Sequence, residues 1–364
     1  MRKVLAAGAL MASLTLAGCG GTNGFLGNSQ NGTFGAQSIA GGSGLSLFVE
    51  PDDGVAPIVD AINGAQQSVL MEMYLLSDQD VLSALEQAAQ RGVDVRVILD
   101  SKPYGGPTMH NINQKAMTAL QSAGAQVHWS NPAFTYTHEK AFVIDGTESI
   151  ITTTNMSKSA FSANREYGLV DTNPAEAQAI AAIFQADWNL QQPSFDDPSL
   201  VVSPVNSRGM LENLIQSAQR SLLIEDEECN DPEVIQMIGQ KAQAGVNVEV
   251  LLAGPTNGKA PSSSDESEVS ALQNAGVTNV KLMTSLYLHG KAIVVDGTTG
   301  YVGSVNLSAT SMDKNREVGL IIKDSSILST ISSTIQSDFG ESQAIGRGTA
   351  PSLTLGVPSS YATY

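Results

Sequence analysis

Residues 138–170 read HEKAFVIDGTESIITTTNMSKSAFSANREYGLV, and residues 289–321 read HGKAIVVDGTTGYVGSVNLSATSMDKNREVGLI. The two stretches align at a constant offset of 151 without a gap, and 14 of their 33 positions are identical. Most of the identities are polar or glycine. Core packing has no reason to retain such residues, so the repeat marks chemistry carried out by two copies of one unit.

The repeat extends upstream. Residues 68–99 begin SVLMEMYLLSDQDV and end RGVDVRVIL, while residues 221–252 begin SLLIEDEECNDPEV and end AGVNVEVLL, now at an offset of 153. Ser68–Leu76 is short and apolar. Asp80–Gln90 carries Val81, Leu82, Leu85, Ala88 and Ala89 at helical spacing, and Val93–Leu99 alternates like a strand. A second helix is expected at Asn113–Ala123, leading to a strand at Val127–Trp129. Strand, helix, strand with buried strands predicts βαβ units, hence an α/β protein of two related lobes, each a mixed sheet flanked by helices. The lobes are expected at 45–200 and 201–345, joined through the Pro-containing stretch Leu190–Pro204. Gly254–Glu268 reads as a loop of the second copy. The tail 346–364, rich in Gly, Pro, Ser and Thr, is expected to lack regular structure.

Within each copy, His138 and Lys140, or His289 and Lys291, are two residues apart. On a strand they face the same way. Asp145-Gly146 and Asp296-Gly297 are hairpin-turn signals. The returning strand brings Thr153 and Asn155, or Ser304 and Asn306, to the neighbouring end. Such a set suits a phosphodiester. Lys and Asn donate to the non-bridging oxygens, a neutral His can attack phosphorus, and a protonated His can return its proton to the leaving alkoxide. A carboxylate on the other ring nitrogen would fix each imidazole. Glu166 and Glu317 each lie 28 residues after the His of their own copy and are the candidates. As residues, Asp145 and Asp296 read as ties for the turn, and Arg165 and Arg316 as partners for carboxylates. Glu72 and Glu225, buried in apolar runs, need partners of their own.

Composition bounds the alternatives. The chain has 364 residues, 42% of them hydrophobic, enough for a sizeable core in two domains. Lys and Arg number 19 against 36 Asp and Glu, a net charge of −17, which disfavours a surface built to grip long nucleic acid. Two cysteines cannot make a disulfide scaffold or a Cys-based zinc cluster. The N-terminus, MRKVLAAGALMASLTLAGC, has a short basic region and an apolar run too brief to span a bilayer. Its Leu16-Ala17-Gly18-Cys19 resembles a bacterial lipobox. This resemblance implies a signal peptide at 1–18 and a diacylglyceryl group on Cys19, hence an exported lipoprotein anchored in the bacterial cell envelope. The stretch from Cys19 to residue 44 is Gly-rich and uncharged, and is expected to be a flexible tether. Cys229 would then be a buried free thiol.

The two motifs together resemble the phospholipase D superfamily, whose signature is H-x-K-x4-D-x6-G-S-x-N, usually present twice. The upstream segment is most similar to bacterial cardiolipin-synthase-type members. The second copy matches throughout, at His289, Lys291, Asp296, Gly303, Ser304 and Asn306. The first has Thr152-Thr153 in place of Gly-Ser. The resemblance implies a bilobed fold with one active site at a pseudo-twofold interface. It groups His138, Lys140, Asp145, His289, Lys291 and Asp296 as the catalytic set, with Thr153, Asn155, Ser304 and Asn306 binding phosphate and Glu166 and Glu317 orienting the histidines. It also implies a phosphohistidine on His138, with His289 as the acid, and neither metal nor other cofactor. The expected function is a phosphodiester hydrolase or phosphatidyltransferase acting on phospholipid headgroups, in a monomer. The alternatives are an endonuclease of the same superfamily and an inactive binding lipoprotein.

Overall fold

Each repeated Lys opens a strand whose other residues are all apolar, and both strands are buried throughout: β6 (Lys140–Ile144) and β14 (Lys291–Val295). A strand buried on both faces must have cover on both. One face packs on the helices of its own lobe, and the other on a core to which both lobes contribute.

The structure, a computed structural model, describes residues 39–40, 44–256 and 258–344. The signal peptide, Cys19, most of the tether and the tail 346–364 lie outside the described residues. The first lobe runs β1 (Ile39–Ala40), β2 (Leu45–Glu50), α1 (Ala56–Gly64), β3 (Ser68–Met73), α2 (Gln79–Gln90), β4 (Asp94–Leu99), α3 (Pro107–Ser122), β5 (Gln126–Trp129), β6, β7 (Glu148–Thr152), α4 (Lys158–Ala163), β8 (Asn164–Asp171) and α5 (Pro174–Trp188). The second runs β9 (Leu200–Ser203), α6 (Ser207–Gln216), β10 (Ser221–Asp226), α7 (Pro232–Gln243), β11 (Asn247–Ala253), α8 (Ser263–Ala275), β12 (Asn279–Met283), β13 (Tyr287–Leu288), β14, β15 (Thr299–Gly303), α9 (Ala309–Asp313), β16 (Glu317–Ile322), α10 (Ser325–Glu341) and β17 (Gln343–Ala344).

The two sheets repeat one topology. The first has the order β1-β2-β8-β7-β6-β3-β4-β5, and the second β17-β12-β11-β10-β14-β15-β16-β9. In each, three strands are parallel through helical crossovers, and antiparallel pairing continues from the strand carrying the Lys. The helix caps repeat as well. Asp78 accepts from the backbone N–H of Asp80 and Val81 at the start of α2, and Asp231 from Glu233 and Val234 at the start of α7. The expected α/β class with two mixed sheets flanked by helices is therefore the architecture observed.

Four readings are refined. The helix expected at Asn113–Ala123 begins at Pro107, because Pro occupies its first turn without losing a bond. The stretch Gly254–Glu268 is not wholly a loop. Ser262 and Asp265 form a capping box, and α8 starts at Ser263. Ile39–Ala40, inside the expected tether, pairs with Leu47 and Ser46 as a short edge strand. The last part of Leu190–Pro204 is β9, paired with β16.

The departure Thr152-Thr153 also has a packing reason. A Cβ on Gly303 would lie 2.3 Å from the Gly319 Cα and 2.6 Å from the Tyr301 hydroxyl, which itself accepts from the Val305 N–H. The first copy has Ile150 in place of Tyr301. The shorter side chain leaves room for Thr152, whose hydroxyl bonds the Tyr167 carbonyl at 3.0 Å. Thr152 and Ile150 thus replace Gly303 and Tyr301 as a set, and the strand path toward the site is unchanged.

Asp145 and Asp296 close the hairpins β6–β7 and β14–β15 with φ of 53° and 54°. The Asp145 carboxylate accepts from the N–H groups of Gln66, Gln67 and Ser68, and Asp296 from those of Gln219, Arg220 and Ser221. Both sit at the end of their strand opposite to the Lys, about 15 Å away by strand rise. Here both carboxylates serve the turn, as the Asp-Gly signal suggests. They tie the hairpin to the strand beside it. Asp145→Ala is expected to lower stability by about 1–2 kcal/mol, as loss of a charged backbone cap does, in urea titration. Turnover per folded molecule should stay within a few-fold of wild type. A loss beyond a hundredfold in folded protein would return Asp145 to the chemistry.

Candidate active site

The histidines are positioned by the opposite lobe. Strand β13, which leads into His289, pairs in parallel with β8 of the first lobe, and the His289 N–H donates to the Arg165 carbonyl at 3.1 Å. Reciprocally, the His138 N–H donates to the Arg316 carbonyl at 2.9 Å, and the Arg316 N–H to the Tyr136 carbonyl. Arg165 and Arg316 hold these strands from behind. Arg165 pairs with Asp338 at 2.6 Å and bonds the Glu50 carbonyl, while Arg316 pairs with Asp187 at 2.7 Å and bonds the Ser203 carbonyl. Both arginines thus meet carboxylates, as their place in the repeat suggests.

The crossing changes which glutamate serves which histidine. Spacing within each copy assigns Glu166 to His138 and Glu317 to His289. Instead His138 Nδ1 lies 3.0 Å from Glu317 Oε2, and His289 Nδ1 lies 2.8 Å from Glu166 Oε2. Glu166 also accepts from the Thr153 hydroxyl at 2.6 Å and from Asn164 Nδ2. Glu317 accepts from the Ser311 hydroxyl and from Asn315 Nδ2 at 2.9 Å. Each carboxylate is thus fixed within its own lobe and reaches into the other.

The result is two imidazoles with ring centres 6.2 Å apart, each held at Nδ1. Lys140 and Lys291 are fully buried beside them, each donating to the carbonyl of its own His at 2.8 and 2.6 Å. Asn155 and Asn306 are buried at the adjacent strand ends, and their Oδ1 atoms have no hydrogen-bond partner among the described residues. Thr153 and Ser304 are less available to phosphate than expected. The Thr153 hydroxyl gives its proton to Glu166 and accepts from the Tyr167 N–H, while Ser304 exchanges bonds with the backbone of Val318. A hydroxyl has one proton to give, and in both copies it is engaged within the lobe.

Burial, and then Lys140, push His138 down to about 4, outweighing Glu317. Burial works against the Glu317 carboxylate, yet His138, Lys140 and Ser311 hold it below its ordinary range. At neutral pH His138 is therefore a neutral imidazole, with its Nδ1 proton on Glu317 and the Nε2 lone pair directed away from it. Burial, and then Lys291, lower Lys140 to about 7.

Three groups of this region carry no repeated signal. Tyr74 stands edge-on to His138 at 4.6 Å, with Lys140 Nζ 5.2 Å from its ring centre. Its counterpart at offset 153 is Glu227, which accepts from Lys291 at 2.8 Å and from the Tyr287 hydroxyl at 2.8 Å, and lies 3.4 Å from His289 Nε2. Burial would raise Glu227, but His289 and Lys291 hold it far below the usual carboxylate range. Behind the site, Tyr167 donates to Glu225 at 2.6 Å. Asp187 and Asp338 do carry a signal, because they sit at offset 151 before Trp188 and Phe339, just beyond the quoted repeat.

Among the described residues, one grouping has metal-cage spacing. Glu72, Glu139 and Asp187 offer carboxyl oxygens within 4.8 Å of one another, all buried. Arg316 already serves Asp187, and the oxygens of Glu72 and Glu139 have no hydrogen-bond partner among the described residues. Burial, then neighbouring carboxylates, raise Glu72 well above its ordinary value and Glu139 to about 8. Burial thus favours the neutral acid at both positions. A carboxyl raised from 4.5 in the unfolded chain to about 8 when folded stabilises fully below about 4.5, and that contribution is lost as pH rises through 8. Thermal melts are expected to fall between pH 5 and 8, and Glu139→Gln to flatten that slope. An unchanged slope in the variant would mean that the cluster is ionised.

Comparison with known proteins bears on this geometry. The family described as "Cardiolipin synthase, PLD-like domain" matches residues 58–188 and 211–340. A cardiolipin synthase of Clostridium perfringens strain 13 is 22% identical over 328 residues, covering 78% of this chain and 67% of its own. Cardiolipin synthase A of Cronobacter sakazakii is 26% identical over 333 residues, covering 79% and 68%. The chain thus spans about two thirds of these relatives' length. In fold it is similar to the phosphatidylserine synthase of Haemophilus influenzae Rd KW20, with a TM-score of 0.64 and 15% identity over 85% of this chain and 89% of that one. It is also similar to the polyphosphate kinase of Porphyromonas gingivalis, with a TM-score of 0.62 and 15% identity over 81% and 50%.

Proposed function

Because this chain belongs to the cardiolipin synthase, PLD-like domain family, we propose that it is a phosphodiesterase or phosphatidyltransferase acting on phospholipid headgroups through a phosphohistidine. The observation that carries this is the pair of facing imidazoles, each held at Nδ1 by the other lobe's glutamate with a buried Lys beside it. Relatives named cardiolipin synthase point to phospholipid as the substrate class.

In this reading His138 Nε2 attacks phosphorus, and Lys140 and the side-chain amides of Asn155 and Asn306 take the charge of the equatorial oxygens. The P–O bond to the headgroup breaks, and His289, entering the step as the acid, gives its Nε2 proton to that oxygen. His289 then removes the proton of water or of an acceptor alcohol, whose oxygen attacks the phosphohistidine and frees His138. Glu317 steadies the Nδ1 proton as charge develops on His138, so the crossing of the two Glu-His pairs couples both steps to the lobe interface. No motif residue is needed as a metal ligand.

We also propose that the protein works at a membrane surface as a lipoprotein of the bacterial envelope, lipidated at Cys19, with the Gly-rich segment giving reach. The support is the sequence Leu16-Ala17-Gly18-Cys19 behind an apolar run. Among the described residues no helix is long and apolar enough to cross a membrane, so an anchor of this kind would supply the attachment. Cys19→Ala is expected to move the protein from the membrane to the soluble fraction.

His138→Ala and His289→Ala should each lower headgroup release by at least a thousandfold with the fold intact, and rapid acid-free quench should trap a phospho-adduct on His138. A near-wild-type rate in either folded variant overturns the two-histidine mechanism. The kcat/KM profile should rise through pH 4 as His138 loses its proton and fall above pH 7 as Lys140 loses its charge. Activity should survive exhaustive EDTA treatment, and restoration by one specific divalent ion after loss would argue against the proposed chemistry.

A further inference from the structure

The parallel strands of each lobe end where its histidine stands. Met73 closes β3 beside Lys140, and Asp226 closes β10 beside Lys291. The loops leaving β4 and β5, and β11 and β12, therefore emerge at the same end as the imidazoles. Four of them form the rim of the site. In the first lobe, residues 101–106 follow β4 and residues 130–137 follow β5. The Tyr104 N–H donates to the Tyr74 hydroxyl at 2.6 Å, and the Tyr74 ring lies 6.0 Å from that of Tyr136 and 4.6 Å from that of His138. In the second lobe, residues 284–286 lead into Tyr287, whose ring is 6.2 Å from that of His289. Residues 254–261 start against them. The Gly254 N–H donates to the Met283 carbonyl at 2.9 Å, and a Cβ on Gly254 would lie 3.2 Å from Thr284 Cγ2.

The composition of this rim runs against that of the whole protein. The chain has a net charge of −17, yet these four loops hold Lys102 and Lys259 and no acid. Lys314, whose carbonyl accepts from the Thr135 N–H at 3.0 Å, adds a third lysine next to them. All three are exposed, and none has a carboxylate within ion-pair distance among the described residues. The nearest acids in sequence are otherwise engaged or set in a helix. Asp313 pairs with Arg208, while Asp265 and Glu266 lie in the first turn of α8, where Asp265 accepts from the Ser262 N–H. The exposed residues between the lysines are uncharged, and Tyr104, Pro132, Ala133 and Ala260 among them are apolar. Tyr104 is 41% exposed, one of three large apolar side chains left so among the described residues. A tyrosine suits the level of lipid headgroups, where its ring meets hydrocarbon and its hydroxyl meets water.

We propose that this rim is a bilayer-docking surface, with Lys102, Lys259 and Lys314 resting on an anionic lipid surface and Tyr104 entering its headgroup layer, so that the histidines open onto the bilayer. This deepens the phospholipid reading above and rests on it. Charge selects the face, because an anionic surface repels the acidic body and attracts lysine. The contact is weak and reversible by itself. A lipid anchor supplies residence, and the rim supplies orientation.

The test offers one headgroup in two physical forms, so that headgroup chemistry cancels. Full-length Cys19→Ala protein is given phosphatidylglycerol either as short-chain monomers in solution or as long-chain vesicles, and glycerol release and sedimentation with the vesicles are both measured. Lys102→Glu combined with Lys259→Glu, and separately Tyr104→Ser, should leave the rate on monomers within about twofold and lower kcat/KM on vesicles about tenfold or more, with sedimentation falling in parallel. Added salt should slow the parent protein on vesicles and not on monomers. Variants that act on vesicles and sediment with them as the parent does would overturn the inference and leave the enzyme intact. Equal losses on both forms would place these residues in the chemistry and overturn it as well. If the parent releases headgroup from neither form, nor from phosphatidylethanolamine, the phospholipid reading fails, and sedimentation of the variants still decides the rim.

Discussion

The molecule depends on a reciprocal exchange between its lobes. The segment before each histidine lies along the other lobe's Asn-Arg-Glu strand, so that the His138 N–H bonds the Arg316 carbonyl and the His289 N–H bonds the Arg165 carbonyl. The side chains of these strands repeat the exchange, with Glu317 on His138 and Glu166 on His289. Neither lobe holds a complete histidine site alone. The shared apolar core, built from strands such as β6, β8, β14 and β16 together with α5 and α10, keeps the two halves in one register. Moving charges out of water is expensive, and this fold offsets that cost by pairing the arginines at these strand ends. Arg165 meets Asp338, Arg316 meets Asp187, and the bonds of both guanidinium groups to backbone carbonyls use further donors.

Duplication accounts for that symmetry, and the departures from it make the two half-sites unequal. Some departures are compensated packing, such as Ile150 with Thr152 against Tyr301 with Gly303. Others separate the two histidines. His138 lies against the Tyr74 ring, and its neutral form is favoured by burial and by Lys140. His289 sits between Glu166 and Glu227. One aromatic residue exchanged for a carboxylate at a single register thus gives the two histidines different environments.

Much of the site is legible in the amino-acid sequence. The repeated His, Lys, Asn and Glu are polar residues held at fixed spacing in otherwise apolar strands, and only shared chemistry explains that pattern. The hairpin role of Asp145 and Asp296 follows from Asp-Gly alone, and the φ values of 53° and 54° match it. The role of Thr153 and Ser304 does not follow from spacing, because the destination of a hydroxyl proton depends on what lies across the sheet. Glu227 is hidden for a different reason. It is the place where the repeat fails, and similarity between the copies gives no sign of it.

The sequence by itself determined the two lobes, the α/β order of their elements and the identity of the repeated polar groups. These follow from short-range patterning: strand and helix periods, turn residues and an offset of about 150 positions between the copies. Tertiary structure alone decided which glutamate holds which histidine, which hydroxyls remain free, and where the unrepeated acids face. Glu317 is 179 residues from His138 and Glu166 is 123 from His289. No local rule distinguishes these crossed pairs from pairs within one copy. The choice is made when two twisted sheets bury a common apolar face, because only then do the ends of β8 and β16 arrive beside the other lobe's histidine.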